Sequence, residues 1–277
     1  MPLPVNWRAR MAGAGLLEGT ATDRKSVAES APALFTGCVM DAVFGEVHLA
    51  TAQVLAANGL NMELPKGQGC CGALHQHSGE AAQARELAKA NIIAFESQGR
   101  GPIVLNSAGC GAFLKDYGAL LSDDPDWEER AAAFSGRVID ICEYLATREL
   151  KPPPQVSGSG PPLRVAYDDP CHLAHAQKVS EAPRKLLAMV PGLEMVKLEE
   201  AEMCCGSAGS YSLTQPEMSR RLLDRKMAHV KNSGASVVAT GNPGCLLQIR
   251  LGAKRSGLGI RVMHPVELLA RAYRREG

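Results

Sequence analysis

Apolar residues along this chain recur in two ways, and the two alternate. Short stretches rich in apolar residues fall at 33–35, 60–64, 102–105, 137–140, 163–167, 193–198, 236–239 and 261–263. Runs of that length are what strands buried on both faces of a parallel sheet require. Between them, apolar residues return every three or four positions. That spacing predicts helices over 48–57, 80–95, 112–121, 142–148, 182–189, 216–233 and 265–274. Asn58-Gly59 is a helix-stop signal after the first of these. Alternation of this kind predicts an α/β fold, a mostly parallel sheet flanked by helices, with chemistry at the carboxyl ends of the strands.

The alternation occurs twice. The stretch 151–162 is rich in proline, which fixes φ and donates no backbone hydrogen bond, so it reads as a linker. The expected organisation is a weakly structured leader (1–31), a first domain (32–150), the linker (151–162) and a second, homologous domain (163–277). Within the leader, the one alternative is a short helix near 12–17. A repeat this long is duplication of a whole α/β unit, not a solenoid period.

A chain of 277 residues is long enough for two such domains. With aromatic residues at only 4%, the cores are expected to be built from Ala, Leu, Val, Ile and Met. A net charge of +1 gives no electrostatic basis for binding nucleic acid or a membrane surface. No apolar run reaches the roughly 18 residues of a membrane span. The first 25 residues lack the apolar core of a secretory signal. The expected compartment is therefore the cytoplasm, where structural disulfides are disfavoured. Nine cysteines there point to metal or catalysis.

Eight of the nine fall into two sets of four: Cys38, Cys70, Cys71 and Cys110, then Cys171, Cys204, Cys205 and Cys245. The offsets between sets are 133, 134, 134 and 135 residues (171−38, 204−70, 205−71, 245−110). A single cysteine is usually a small buried hydrophobe. Eight in register are a ligand pattern, and four thiolates suit a tetrahedral ion or a four-iron cluster. Cys38, Cys110, Cys171 and Cys245 each follow a predicted strand. Glycines stand beside the cysteines, and Gly37, Gly69, Gly72, Gly109, Gly206 and Gly244 are the candidates for letting backbone approach a bulky inorganic group. Cys142 pairs with Val266 across the repeat and reads as core. His75, His77, His172 and His175 are not shared by the repeats, so they read as supporting or surface residues. Asp168 and Asp169 read as caps of the Cys171 loop, and Arg220, Arg221, Asp224, Arg225 and Lys226 as a solvated helix face. The spacing does not choose between iron–sulfur and zinc.

Six motifs go further: Phe35-Thr36-Gly37-Cys38-Val39-Met40, Gly69-Cys70-Cys71-Gly72-Ala73-Leu74-His75, Asn106-Ser107-Ala108-Gly109-Cys110-Gly111, Asp169-Pro170-Cys171-His172-Leu173-Ala174-His175, Cys204-Cys205-Gly206-Ser207-Ala208-Gly209 and Thr240-Gly241-Asn242-Pro243-Gly244-Cys245. Together they resemble the cysteine-rich CCG domain family and, within it, the iron–sulfur subunits of glycolate oxidases. The resemblance implies an iron–sulfur electron-transfer subunit of a flavin-dependent 2-hydroxyacid dehydrogenase. It would hold one or two 4Fe-4S clusters on the eight cysteines and have no catalytic residues of its own. The implied partners are flavoprotein subunits and a ferredoxin-type protein or domain, with peripheral membrane association through the complex. Two departures stand out. The family's fuller pattern ends in Cys-x-x-Cys, where this chain has Ser107 and Asn242 at the first position. The ferredoxin-like domain that normally opens such a subunit is not in this sequence. Two alternatives stay open: a zinc-containing scaffold, and a thiol–disulfide enzyme like heterodisulfide reductase.

Overall fold

The computed structural model describes residues 6–16, 31–97, 100–155 and 160–274. The chain divides into two compact units, Met1–Tyr144 and Leu145–Gly277. In the first, β1 (Ala33–Phe35), β2 (Ile103–Leu105) and β3 (Val138–Asp140) form a parallel sheet in that order. In the second, β4 (Leu163–Tyr167), β5 (Leu193–Val196), β6 (Val237–Ala239) and β7 (Arg261–Met263) are also all parallel, in the order β5-β4-β6-β7. β1, β2 and β3 correspond to β4, β6 and β7. The run at 60–64, expected to be a strand, contributes one parallel bridge, Ala33 to Glu63, where β5 lies beside β4. Asn61 and Glu63 interrupt its apolar run and Pro65 ends it, so the edge is vestigial.

Most of the expected helices are present, as Gly45–Ala57, Ala81–Glu96, Ile141–Ala146, Glu181–Ala188, Pro216–Ser233 and Pro265–Arg274. The 112–121 segment breaks at Asp116 into Ala108–Lys115 and Tyr117–Leu120. Helix Pro243–Arg255 is an addition to the expected set, because Asn242-Pro243-Gly244 reads as a turn. Proline at the first helical position is preorganised for a helix, and Leu246, Ile249 and Ala253 bury one face. Part of the expected leader is ordered too: Trp7–Gly13 is a helix with Trp7 and Met11 buried. The rest of that leader, 1–5 and 17–30, and residues 156–159 of the linker lie outside the described residues. Among the described residues, no helix is long and apolar enough to cross a membrane.

The aliphatic core expected from composition holds for the second unit, where Tyr167 is joined by Val165, Leu187, Val237, Ala239, Met263 and Leu268. In the first, aliphatic residues such as Ala88, Ile92, Ile103 and Leu105 also predominate, but aromatic rings join them. There Phe35, Phe95, Phe134, Tyr117 and Phe113 touch in a continuous chain with ring centroids 5.4–5.9 Å apart. The few aromatic residues are concentrated in one unit rather than spread over two.

Asp140 closes β3 and is fully buried, accepting a 2.8 Å bond from Cys142 N. His264 holds the same place after β7, its Nδ1 accepting from Val266 N at 3.2 Å. Burial pushes the Asp140 carboxyl up to about 7. A carboxyl raised above its unfolded value stabilises the fold at acid pH and loses that contribution as pH climbs from about 4 to about 7. Asp140→Asn keeps the acceptor without the ionisation. The variant should therefore lose this part of the pH slope and outlast the parent at pH 8. Urea midpoints at pH 5 and 8, followed by tryptophan fluorescence, check this, since Trp7 and Trp127 both lie in the first unit. Equal slopes would mean that the Asp140 carboxyl ionises as readily in the fold as in the unfolded chain.

Candidate metal centres

In each unit, three loops at the carboxyl ends of the sheet carry the four cysteines to one place. Cys38 follows β1 and stands at the start of helix Val39–Val43; Cys70 and Cys71 immediately precede helix Ala73–His77; Cys110 lies in the first turn of Ala108–Lys115. In the second unit Cys171 begins the π-helical turn His172–Ala176, and Cys245 lies in the first turn of Pro243–Arg255. Helix N-termini present unpaired N–H groups and a positive dipole end, both of which favour thiolate.

The sulfurs touch in sequence. Cys38 Sγ donates to Cys70 Sγ at 3.6 Å, and Cys71 Sγ to Cys110 Sγ at 3.3 Å, with Cys70 and Cys71 hydrogen-bonded to each other. In the second set Cys205 Sγ donates to Cys245 Sγ at 3.4 Å, while Cys204 bonds both Cys171 and Cys205. These contacts draw the Cys70 and Cys204 thiols down to about 2, through the bonds they receive from Cys38 and Cys171. Cys38, Cys71, Cys171 and Cys205 are pushed up, first by the bonds they give and then by burial. The donor set therefore suits a cation that displaces shared protons. It is closed as it stands. Tetrahedral metal–sulfur bonds of about 2.3 Å set sulfurs about 3.8 Å apart. Among the described residues, no group of three or more Cys, His, Asp or Glu side chains is arranged to hold a metal ion without moving. For a single ion, the touching pairs must spread by a few tenths of an ångström. A cluster whose thiolates each bind a different iron needs more.

The glycine after each doublet has a physical reason. Gly72 and Gly206 adopt φ of +89° and +87°, which a side chain rarely tolerates. That turn lays Gly72 N on Cys70 Sγ at 3.4 Å and Gly206 N on Cys204 Sγ at 3.3 Å. A Cβ on Gly206 would meet Ser219 O at 2.5 Å. Gly244 is packed on Ser207, and Gly37 lies beside Cys110, where a Cβ would stand 3.8 Å from the sulfur. Gly109 is in the first turn before Cys110. Gly69 faces open space, and its N–H donates to Asn91 Oδ1 at 2.9 Å. Ser107 Oγ accepts from Cys110 N, and Asn242 Nδ2 donates to Cys245 Sγ at 3.7 Å.

Several residues that fix the loops are not visible as motifs. In the first unit Asn91 Nδ2 donates to Cys70 O, and Tyr117 Oη to Cys71 O at 2.6 Å. In the second, Lys226 is fully buried, not part of a solvated face. Its Nζ donates to Glu200 O and Ala201 O at 2.9 Å and pairs with Asp168 at 2.8 Å. Asp168 and Asp169 are therefore not loop caps: Asp168 serves Lys226 and Thr240, and Asp169 pairs with Arg184 at 2.6 Å. The signal was a lysine on the buried stripe of an otherwise amphipathic helix. Among the histidines, His172 Nδ1 lies 3.6 Å from Cys171 Sγ. His175 lines a cavity of about 500 Å³ that opens onto Cys171 and Cys204. Cys142 is buried with its thiol pushed up, as a core residue would be.

The cysteine-rich CCG domain family matches residues 32–115 and 165–250. The chain is 45% identical over 242 residues to a probable glycolate oxidase iron-sulfur subunit of Bacillus subtilis, covering 87% of this chain and 54% of the relative. It thus spans about half the length of that protein. It is 33% identical to lactate utilization protein A of Oceanobacillus iheyensis, covering 85% and 95%. To a fumarate reductase (CoM/CoB) subunit of Methanothermobacter marburgensis it is 35% identical, covering 86% and 46%.

Removing the cation from a buried pair leaves its partner ionised and dry. Lys226→Met is expected to destabilise the second unit by about 3–5 kcal/mol, and Lys226→Met with Asp168→Asn by clearly less. Scanning calorimetry of the full chain, resolving the two units, measures both. Equal losses in single and double variants would show that Lys226 acts by packing alone.

Proposed function

The chain belongs to the cysteine-rich CCG domain family, and on that premise we propose that it is the iron–sulfur electron-transfer subunit of a flavin-dependent 2-hydroxyacid dehydrogenase. The observation that carries this reading is the convergence, in both units, of four cysteines from three strand-end loops until their sulfurs touch. The names of the relatives support iron–sulfur chemistry and a hydroxyacid-oxidising assembly. Cys38, Cys70, Cys71 and Cys110 would hold one 4Fe-4S cluster, and Cys171, Cys204, Cys205 and Cys245 a second. Each cluster supplies reversible one-electron storage at a potential set by its surroundings.

The chain's own residues would set that potential and exclude water. Gly72 N–H, Gly206 N–H and Asn242 Nδ2 aim donors at Cys70, Cys204 and Cys245 and stabilise negative charge there. Cys71, Cys205 and Cys245 are buried, whereas Cys38 is exposed and Cys171 and Cys204 are half-exposed. Each site thus has a dry floor and an open lip, through which an electron could leave for a docked partner. That partner would be a flavoprotein subunit on one side and a ferredoxin-type protein on the other. The protein would work in the cytoplasm, reaching a membrane only through its complex.

A second reading has one observation in its favour. Sulfurs 3.3–3.6 Å apart lie nearer the spacing of a tetrahedral zinc ion than that of a cluster. One or both sites would then be structural, and the chain a scaffold. Anaerobic purification followed by iron, acid-labile sulfide and zinc analysis with EPR separates the two. The first reading expects iron with equimolar sulfide, and loss of about half of each on Cys205→Ser. Stoichiometric zinc without sulfide would overturn it.

A further inference from the structure

Beneath the first cysteine set, a buried histidine joins two of its loops. His48 sits in the middle of helix Gly45–Ala57 and is fully buried. Its Nε2 lies 3.1 Å from Thr36 O, two residues before Cys38. Its Nδ1 lies 3.1 Å from Asn106 Nδ2, four residues before Cys110. A carbonyl only accepts, so Nε2 carries the proton. With Nε2 protonated, Nδ1 is left as an acceptor and takes the Asn106 amide N–H, while Thr51 Oγ1 lies 2.9 Å from both Asn106 Oδ1 and Val47 O. One neutral tautomer satisfies every partner, and burial holds the ring's pKa down to about 4. The network is covered by the helix Trp7–Gly13. The Trp7 ring lies 4.9 Å from His48, its Nε1 donates to Asp41, and Gly45 leaves it room, since a Cβ there would come within 2.2 Å of the indole.

The second unit makes the same loop-to-loop link by other means. Thr240, after β6, donates to Asp168, after β4, with Lys226 below. The link therefore recurs in the duplicated fold although its residues do not.

We propose that His48 is a positioning residue for the first cysteine set, holding the β1 loop of Cys38 and the β2 loop of Cys110 in register through its Nε2–H tautomer. The assignment rests on reading Cys38, Cys70, Cys71 and Cys110 as one binding site, and two independent arms keep the two apart. In the first, the unloaded full chain is alkylated anaerobically and each cysteine followed by mass spectrometry. His48→Leu should speed labelling of Cys38 and Cys110 and leave Cys171 and Cys245 unchanged, and His48→Gln, which can both donate and accept, should restore most of the protection. In the second, cobalt(II) is titrated in and its thiolate charge-transfer band read. The parent should take two equivalents, and His48→Leu should weaken one of them about 10- to 100-fold while sparing the other. Nitrogen NMR of the parent should show His48 protonated on Nε2. Uniform acceleration at all eight cysteines, no acceleration at any, or protonation on Nδ1 would each overturn the proposal. Absence of cobalt binding in the parent would remove the single-ion reading of the sites, while labelling would still decide the role of His48.

Discussion

Four thiols from three loops can meet only if the chain reverses sharply just after the doublet. In both units that reversal is a glycine at φ near +90°, and it folds a backbone N–H onto the doublet's first sulfur. A β-carbon there presses on the next long helix, at Ala84 in one unit and at Ser219 in the other. The same residue thus sets the approach of the helix, the direction of the doublet and one hydrogen bond to sulfur. Without it the doublet could not present adjacent side chains to one point, since neighbours on extended chain face opposite ways.

Around that shared turn the two units hold their loops with different chemistry. The first uses neutral groups: Asn91 and Tyr117 on the doublet's carbonyls, Gln68 bridging Thr36 N and Leu34 O, and His48 with Asn106 between the outer loops. The second uses charge: Lys226 against Asp168 and two carbonyls, and Arg184 against Asp169. A buried ion pair is costly to desolvate and is tolerated when partners offset that cost, as Lys226 and Thr240 do for Asp168. The divergence follows the core. The first unit packs five aromatic rings against its sheet and brings Tyr117 to the doublet; the second packs mainly aliphatic residues there and reaches its loop with a lysine instead.

The parts of this arrangement that could be read from the sequence are local or rare. Strands such as Ile103–Leu105 and Val237–Ala239 are legible because every position is apolar and flanked by turn residues. The cysteine sets are legible because eight uncommon residues repeat in register. What was missed depends on contacts between distant positions. Asn91 and Tyr117 meet Cys70 and Cys71 across 21 and 46 residues. Lys226 lies in a run of charges and is buried only because the turn at Glu200–Ala201 folds over it. His48 lies on a helix whose buried stripe is otherwise apolar except for Thr51. Such polar groups look like surface residues until the sheet is assembled and their partners are in place.

Ser107 and Asn242 bear on how many ligands each site has. Both stand three residues before the fourth cysteine, at the start of the helix that carries it. A cysteine there would be a fifth thiolate. In its place, each residue serves the fourth: Ser107 caps Cys110 N and adds to the lowering of the Cys110 thiol that the bond from Cys71 chiefly causes, and Asn242 donates to Cys245 Sγ. The change removes a negative charge and adds a donor at the same point, so both effects run in one direction. A group bound by four thiolates with an extra hydrogen bond carries less electron density than one bound by five, and accepts an electron more readily. The two units carry different residues at this position, Ser107 and Asn242. That is the result expected if the requirement is on the charge at the site rather than on either side chain.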